Sequence, residues 1–355
     1  MTLAADHPVR TDSAVVRRPA GPLLAAVLLA GCGGAAEETA SPEGQRPGTV
    51  SLADVAGADA AVLDAAATDD GRAVVLLAPP GGPLTLADVT ADGSATAVPV
   101  PGLDAERQGL ARVAAADDGV VVVGFAAGRV TLVPATAQGA GAPQPVGTLG
   151  AADVTALDVT ARADVLYLAL SGVDGTHRLF AVDPATGAVR DEAELPGTPR
   201  DLETTDGGVA VATDSGRSAT VVTFDAALDV VAELPAGPGT AGPLTVVDGA
   251  VYATAGRTGE VTVSRDGEVL ASVPGDLPAL VTVDPAGEVA TLVDTVADSE
   301  VPRVLRRTVD LATDEVTDEV ELCDSGAVAG ADVDAAGRGA VAADCRGEPV
   351  LWRLD

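Results

Sequence analysis

Downstream of Thr49 the chain is written in short apolar runs separated by acidic or glycine-containing turns. One pattern recurs: an apolar run, an acidic turn, then a second and more hydrophobic run. It appears as "AAATDDGRAVVLLA", "RVAAADDGVVVVGF", "LDVTARADVLYLAL", "LETTDGGVAVATD", "LTVVDGAVYATAG", "VTVDPAGEVATLV" and "ADVDAAGRGAVAAD". The turn positions Gly71, Gly119, Asp164, Gly207, Gly249, Gly287 and Gly337 are 48, 45, 43, 42, 38 and 50 residues apart. That spacing matches one four-stranded propeller blade per unit.

A second pattern completes each unit. In "LFAVDPATGAVRDEAELPG", Leu179 to Gly197, two alternating runs flank Asp183-Pro184-Ala185-Thr186-Gly187. Pro pre-sets a type I turn, Asp caps it, and Gly takes the left-handed position, so the stretch reads as a hairpin. Similar loops occur at "DVTADGS", "FDAALD", "SRDG" and "DLATDE", and the runs that follow include "AVPVPG", "AELPAG" and "ASVPG". The quoted hairpin is thus expected to be the outer half of blade three. Seven units span Thr49 to Asp355, but the last stops at its third strand, "PVLWRLD", while "TVSLADV", Thr49 to Val55, stands as an orphan strand before the first. Pairing the two would close the ring and remove an exposed sheet edge. The expected fold is all-β: a seven-bladed β-propeller of four-stranded antiparallel blades, with the N-terminal strand closing the last blade.

Composition agrees with that reading. The 355 residues are 47% hydrophobic but only 2% aromatic, so the core must be built from Val, Ala and Leu; 41 Gly and 24 Pro suit many tight turns. All 21 basic residues are Arg, which fits either a GC-rich coding bias or an acidic surface tuned to high salt. A net charge of -32 repels phosphate backbones, so nucleic acid is not an expected partner.

The N-terminus carries an address. "VVRRPAGPLLAAVLLAGCGG" has a basic start, an apolar run of about ten residues, too short to remain as a membrane span, and small residues before Cys32. Leu29-Ala30-Gly31-Cys32 resembles the lipobox of bacterial lipoproteins. The resemblance implies cleavage after residue 31, lipidation of Cys32, and anchoring of an exported protein to the outer face of the cell membrane by its acyl chains. The small, polar residues 32–48 read as a flexible tether and 49–355 as the propeller domain. The hairpin of blade three resembles the YVTN type, and "GGVAVATD" and "GAVYATAG" resemble second strands of YVTN and NHL-type extracytoplasmic propellers. That likeness informs fold rather than activity.

Two further cysteines follow from the blade map. Cys323 ends the outer strand of blade six and Cys345 the second strand of blade seven, at the same end of the ring, so in an exported protein they are expected to form a disulfide, the alternative being two buried thiols. Loops leading into each innermost strand converge on one mouth of the axial channel, which makes Asp104, Arg107, Asp153, Arg200, Asp201, Asp276 and Asp324 the candidate ligand residues. His177, the sole histidine beyond the signal segment, sits beside a turn. No nucleophile elbow, phosphate loop or spaced calcium loop is present, so no catalytic or metal residue and no cofactor is assigned, Ca2+ being the one ion the acidic turns could suit. The expected role is a non-catalytic binding or assembly platform with an envelope or cell-surface protein as partner. The alternatives are a metal-assisted propeller enzyme of the lyase, lactonase or sugar dehydrogenase type, and an extracellular small-molecule sensor.

Overall fold

The computed structural model describes residues 48–117, 119–152, 154–297 and 301–354. The signal segment, Cys32 and the tether up to residue 47 lie outside the described residues, as does Asp153. Seven antiparallel sheets follow one another along the chain, and the first strand of each touches the first strands of its two neighbours, so these strands ring a central axis. The seven innermost strands are Ala61–Ala67, Arg112–Ala116, Val154–Arg162, Thr198–Thr204, Thr240–Val247, Pro278–Val283 and Gly326–Val333.

The second strands explain the strongest hydrophobic signal in the sequence. Gly119–Ala126 and Gly208–Asp214 lie mid-sheet, and residues of both parities are buried, because each blade packs a neighbour on both faces. A half-exposed strand would alternate; these read as continuous apolar runs. The core is accordingly seven clusters, one for each pair of adjacent blades. Phe125, Leu166 and Phe180 join blades two and three; Tyr167, Leu179 and Phe224 join three and four. The outer strands face water, and Val189–Glu194 and Glu315–Cys323 are mostly exposed and rich in carboxylates. Charge along such an edge discourages sheet-to-sheet aggregation.

The quoted hairpin is the outer half of blade three, with His177–Val182 paired to Val189–Glu194. Asp183 Oδ1 accepts from the N–H groups of Ala185 and Thr186, both at 3.0 Å, and Gly187 adopts φ 69°. The ring closes as expected: Thr49, Val50 and Ser51 pair with Trp352, Leu351 and Val350. The closing strand is shorter than Thr49–Val55, however. After Ser51 the chain drives Leu52 into the core (0% exposed) and turns into a short helix, Ala53–Ala56, which removes Asp54 from any ladder. Blade two also departs from four strands, because Gly139–Ala140 pairs back onto the third strand before Gly141 and Pro143 lead out to the edge strand Gln144–Gly150. Cys323 and Cys345 form a disulfide with their Cα atoms 5.9 Å apart.

Candidate functional site: the axial channel

Six of the seven innermost strands carry a bulge near their start, at Leu63, Thr155, Arg200, Gly242–Pro243, Ala279 and Ala329, where the register with the second strand slips. A bulge re-aims the residues that follow it. Past these bulges, Asp64, Asp158, Asp201, Glu203 and Asp332 come to line a cavity of about 390 Å³ on the axis, to which all seven blades contribute. The only basic residues along it are Arg112, between blades one and three, and the exposed Arg200.

Three of the five carboxylates tie one blade to the next. Asp64 Oδ2 accepts from the Val113 N–H (2.8 Å), Asp201 Oδ2 from Leu244 N–H (2.7 Å), and Asp332 Oδ2 from Ala67 N–H (2.8 Å). Each bond joins the innermost strands of consecutive blades, one to two, four to five and seven to one. The Leu244 amide, which directly follows the Gly242–Pro243 bulge, is thereby satisfied, as buried backbone donors must be. Asp158 instead accepts from the N–H of its own neighbour Val159 (2.9 Å).

Enclosure by the ring disfavours charge on all five groups. Burial pushes Asp64 up to about 7, against the opposing pull of Arg112, and Asp158 up to about 6. Asp332 rises to about 6, chiefly by burial and against its bonds to the Ala67 and Val333 N–H groups. Asp201 is held well above the carboxylate range by burial first and then by the negative charge of Asp158, and Glu203 by burial first and then by the charges of Asp332, Asp201 and Asp158. Their side chains keep an edge on the cavity, while protein surrounds them on every other side.

The lining is two-sided. Blades seven, one, three and four supply the carboxylates. Blades five and six supply Pro243, Leu244, Leu277, Pro278 and Leu280, with no charged group.

Of the expected mouth residues that are described, Arg200 and Asp201 line the cavity and the others do not. Arg200 sits at a bulge and donates through Nε to Asp214 (2.5 Å). Arg107 stacks on Phe125, 4.3 Å from its ring centre, and donates to the Ala151 and Val154 carbonyls, so it pins the loop between blades one and two against blade three. Asp104 is exposed at the start of the short helix Ala105–Leu110, and Asp276 is exposed in its loop. Asp324 accepts both Nε and Nη2 of Arg346 at 2.7 Å, beside the disulfide. His177 Nδ1 lies 3.0 Å from Ser171 Oγ. Asp64, Asp158, Glu203, Asp332 and Arg112 were not singled out from the sequence. Their signal was present as a carboxylate set inside the apolar first run of a unit, in "LDAAA", "LDVTA", "DLETT" and "ADVDA". Among the described residues, no three His, Cys, Asp or Glu side chains stand close enough to hold a metal ion.

No family model and no curated protein sequence matches the chain. Solved structures do. A chain from "Crystal Structure of Mitotic Checkpoint Complex" is 13% identical with a TM-score of 0.62, covering 92% of this chain and 100% of that one. A chain of Kuenenia stuttgartiensis hydrazine synthase is 14% identical, TM-score 0.58, with 85% and 97% covered. The Dos1 propeller is 10% identical, TM-score 0.53, with 83% and 79% covered. At such identity the likeness speaks to the fold, and 769 matching chains make it too widespread a fold to select an activity. What geometry and comparisons establish together is a seven-bladed β-propeller; the nearer likeness to YVTN and NHL-type propellers rests on the strand and hairpin patterns alone.

Proposed function

We propose that this protein is an exported, lipid-anchored β-propeller that serves as a non-catalytic binding or assembly platform in the cell envelope. The observation that carries this reading is the use made of the inner carboxylates: Asp64, Asp201 and Asp332 bond the backbone of the next blade. These charges serve the rigidity of the ring, and a rigid ring offers two broad faces to partners. The Cys323–Cys345 bond suits an oxidising compartment, in agreement with the lipobox-like Leu29-Ala30-Gly31-Cys32. One structural neighbour is a chain from a mitotic checkpoint complex, so this fold also serves within multiprotein assemblies. The acidic outer edges direct contacts to the faces rather than to strand addition.

The test is in-cell photo-crosslinking of the full chain and of Cys32→Ala, followed by membrane fractionation. Wild type is expected in the membrane fraction with discrete crosslinked partners, and Cys32→Ala is expected to leave that fraction. A wild-type chain that stays soluble and crosslinks to nothing would overturn the platform reading.

A further inference from the structure

The geometry points to the axial channel as a binding site for a small organic amine with an apolar body. This does not rest on the platform reading, which concerns the faces of the ring. Three observations converge. First, the cavity of about 390 Å³ is of a size that holds small molecules, roughly 300–1,000 Å³. Second, its lining is divided: Asp158, Asp201 and Glu203 on the arc of blades three and four adjoin the uncharged arc of Leu244, Leu277 and Leu280 on and just before the innermost strands of blades five and six. A ligand satisfying both arcs needs a positive head and an apolar body. Third, Glu203 has no cross-blade hydrogen bond; the N–H of Thr204 beside it is its one hydrogen-bonding influence, and after burial the influences on it are the charges of Asp332, Asp201 and Asp158. Of the two basic residues along the cavity, Arg200 is paired with Asp214, and Arg112 acts on Asp64 and Asp158 and donates to the carbonyls of Gly109 and Ala111. Glu203 is therefore an enclosed carboxyl, open to the cavity and lacking a cation.

A point ion fits less well, because the carboxylates are held apart by their bonds to different blades and no three of the described acidic, His or Cys residues converge. An ammonium group differs in kind. It needs only one carboxylate, with which it makes a charge-assisted bond, and its remaining donors can turn to backbone carbonyls or water. Its carbon body would cover the leucine arc and release water from it. Because burial and neighbouring negative charge favour the protonated form of Asp201 and Glu203, an entering amine would displace protons from them, and binding near neutral pH would release protons.

The experiment is a thermal-shift and calorimetric titration of the full chain in detergent at pH 7 with hexylamine, hexanol and calcium chloride. Hexylamine is expected to raise Tm dose-dependently with net proton release, and hexanol and calcium are expected to leave it unchanged at equal concentration. Glu203→Gln and Asp158→Asn, neither of which breaks a cross-blade bond, are each expected to weaken hexylamine at least tenfold while the ligand-free Tm holds or rises. The proposal is overturned if hexylamine gives no shift, if hexanol or calcium matches it, or if both folded variants bind it as wild type does. Should one variant fail to fold, the other decides.

Discussion

The joint between blades six and seven and the joint between blades seven and one face opposite problems. Blades six and seven are consecutive in sequence, linked by a two-residue connection after Cys323, and they also carry the disulfide. Blades seven and one lie at opposite ends of the propeller sequence and meet without a covalent bond. That joint is assembled from dispersed anchors. Thr49–Ser51 pairs with the third strand of blade seven, and Leu52 packs with Leu77, Ala342 and Leu351. Asp332 bonds Ala67 N–H, and Arg353 donates to the Thr90 (2.7 Å) and Gly71 carbonyls. Gly330 lets the two innermost strands approach so closely that a Cβ there would meet the backbone of Asp64 and Ala65. Closing a loop of some three hundred residues costs entropy that grows only logarithmically, so many weak anchors suffice where chain continuity is lacking.

The comparison breaks first at the closing strand. Deleting residues 1–52 should open the ring and expose the edge of Glu348–Leu354, lowering the urea midpoint further than any point substitution and making the chain aggregate. If that truncated chain unfolded like wild type, the closure anchors would be redundant.

Next comes Trp352→Ala. Trp352, 2% exposed, pairs with Thr49 on one side and packs against Val293, Val304 and Cys323 on the other, so it serves both joints. A loss of about 3–5 kcal/mol by chemical denaturation is expected for removing such a side chain. The replacement Cys323→Ser with Cys345→Ser isolates the covalent joint. With a sequence separation of 22, the chain-entropy model gives roughly 3 kcal/mol. A larger loss than for the strand deletion would reverse the ranking of the two joints.

The smallest effect is in pH, and it acts on the two sides of blade one, through Asp332 at the closure joint and Asp64 at the joint with blade two. Their folded values, about 7 and about 6, stand above the ordinary 3.8, so the folded state holds protons that the unfolded state gives up. Their contribution is full below pH 3.8 and is lost as pH rises towards 6 and 7. Asp70 has the opposite sign: bonds from Thr68 and Arg72 lower it to about 2, so its stabilisation is lost as pH falls through that range. Tm should therefore increase by a few degrees, roughly, from pH 8 to pH 5 and decline towards pH 2. Asp64→Asn with Asp332→Asn should make the first limb shallower, the remainder being left to Asp158, Asp201 and Glu203, and should leave the second unchanged. If the slope survives the double substitution undiminished, these two groups do not cause it.

Much of this architecture was legible because it repeats. "DVLYLAL" and "GVAVATD" are continuous apolar runs since both faces of a middle strand are covered, and the acidic turns before them mark each blade once. Trp352 in an unfinished last unit and the orphan Thr49–Ser51 were each half of one feature, which is why closure could be inferred. The channel was harder to read. Leu63-Asp64 and Leu157-Asp158 look like ordinary strand alternation, and Asp104, Asp276 and Asp324 look as good as Asp201 for a mouth. Five of the six bulges have no residue signature of their own, falling on Leu63, Thr155, Arg200, Ala279 and Ala329; only Gly242–Pro243 carries one.

The sequence by itself determined the blade repeat, the order of the blades and the closure partner, while the expected cysteine pairing, with two buried thiols as its alternative, was decided by the structure. Hydrophobic period, turn chemistry and unit length are local properties, and each is written once per repeat. Only the tertiary structure decided that Asp64, Asp158, Asp201, Glu203 and Asp332 share one cavity, that Arg107 is held on Phe125, and that the apolar lining from blades five and six adjoins the acidic lining from blades three and four. Those relations join residues from different units across the axis, and a one-residue slip at a bulge settles which side chain reaches it.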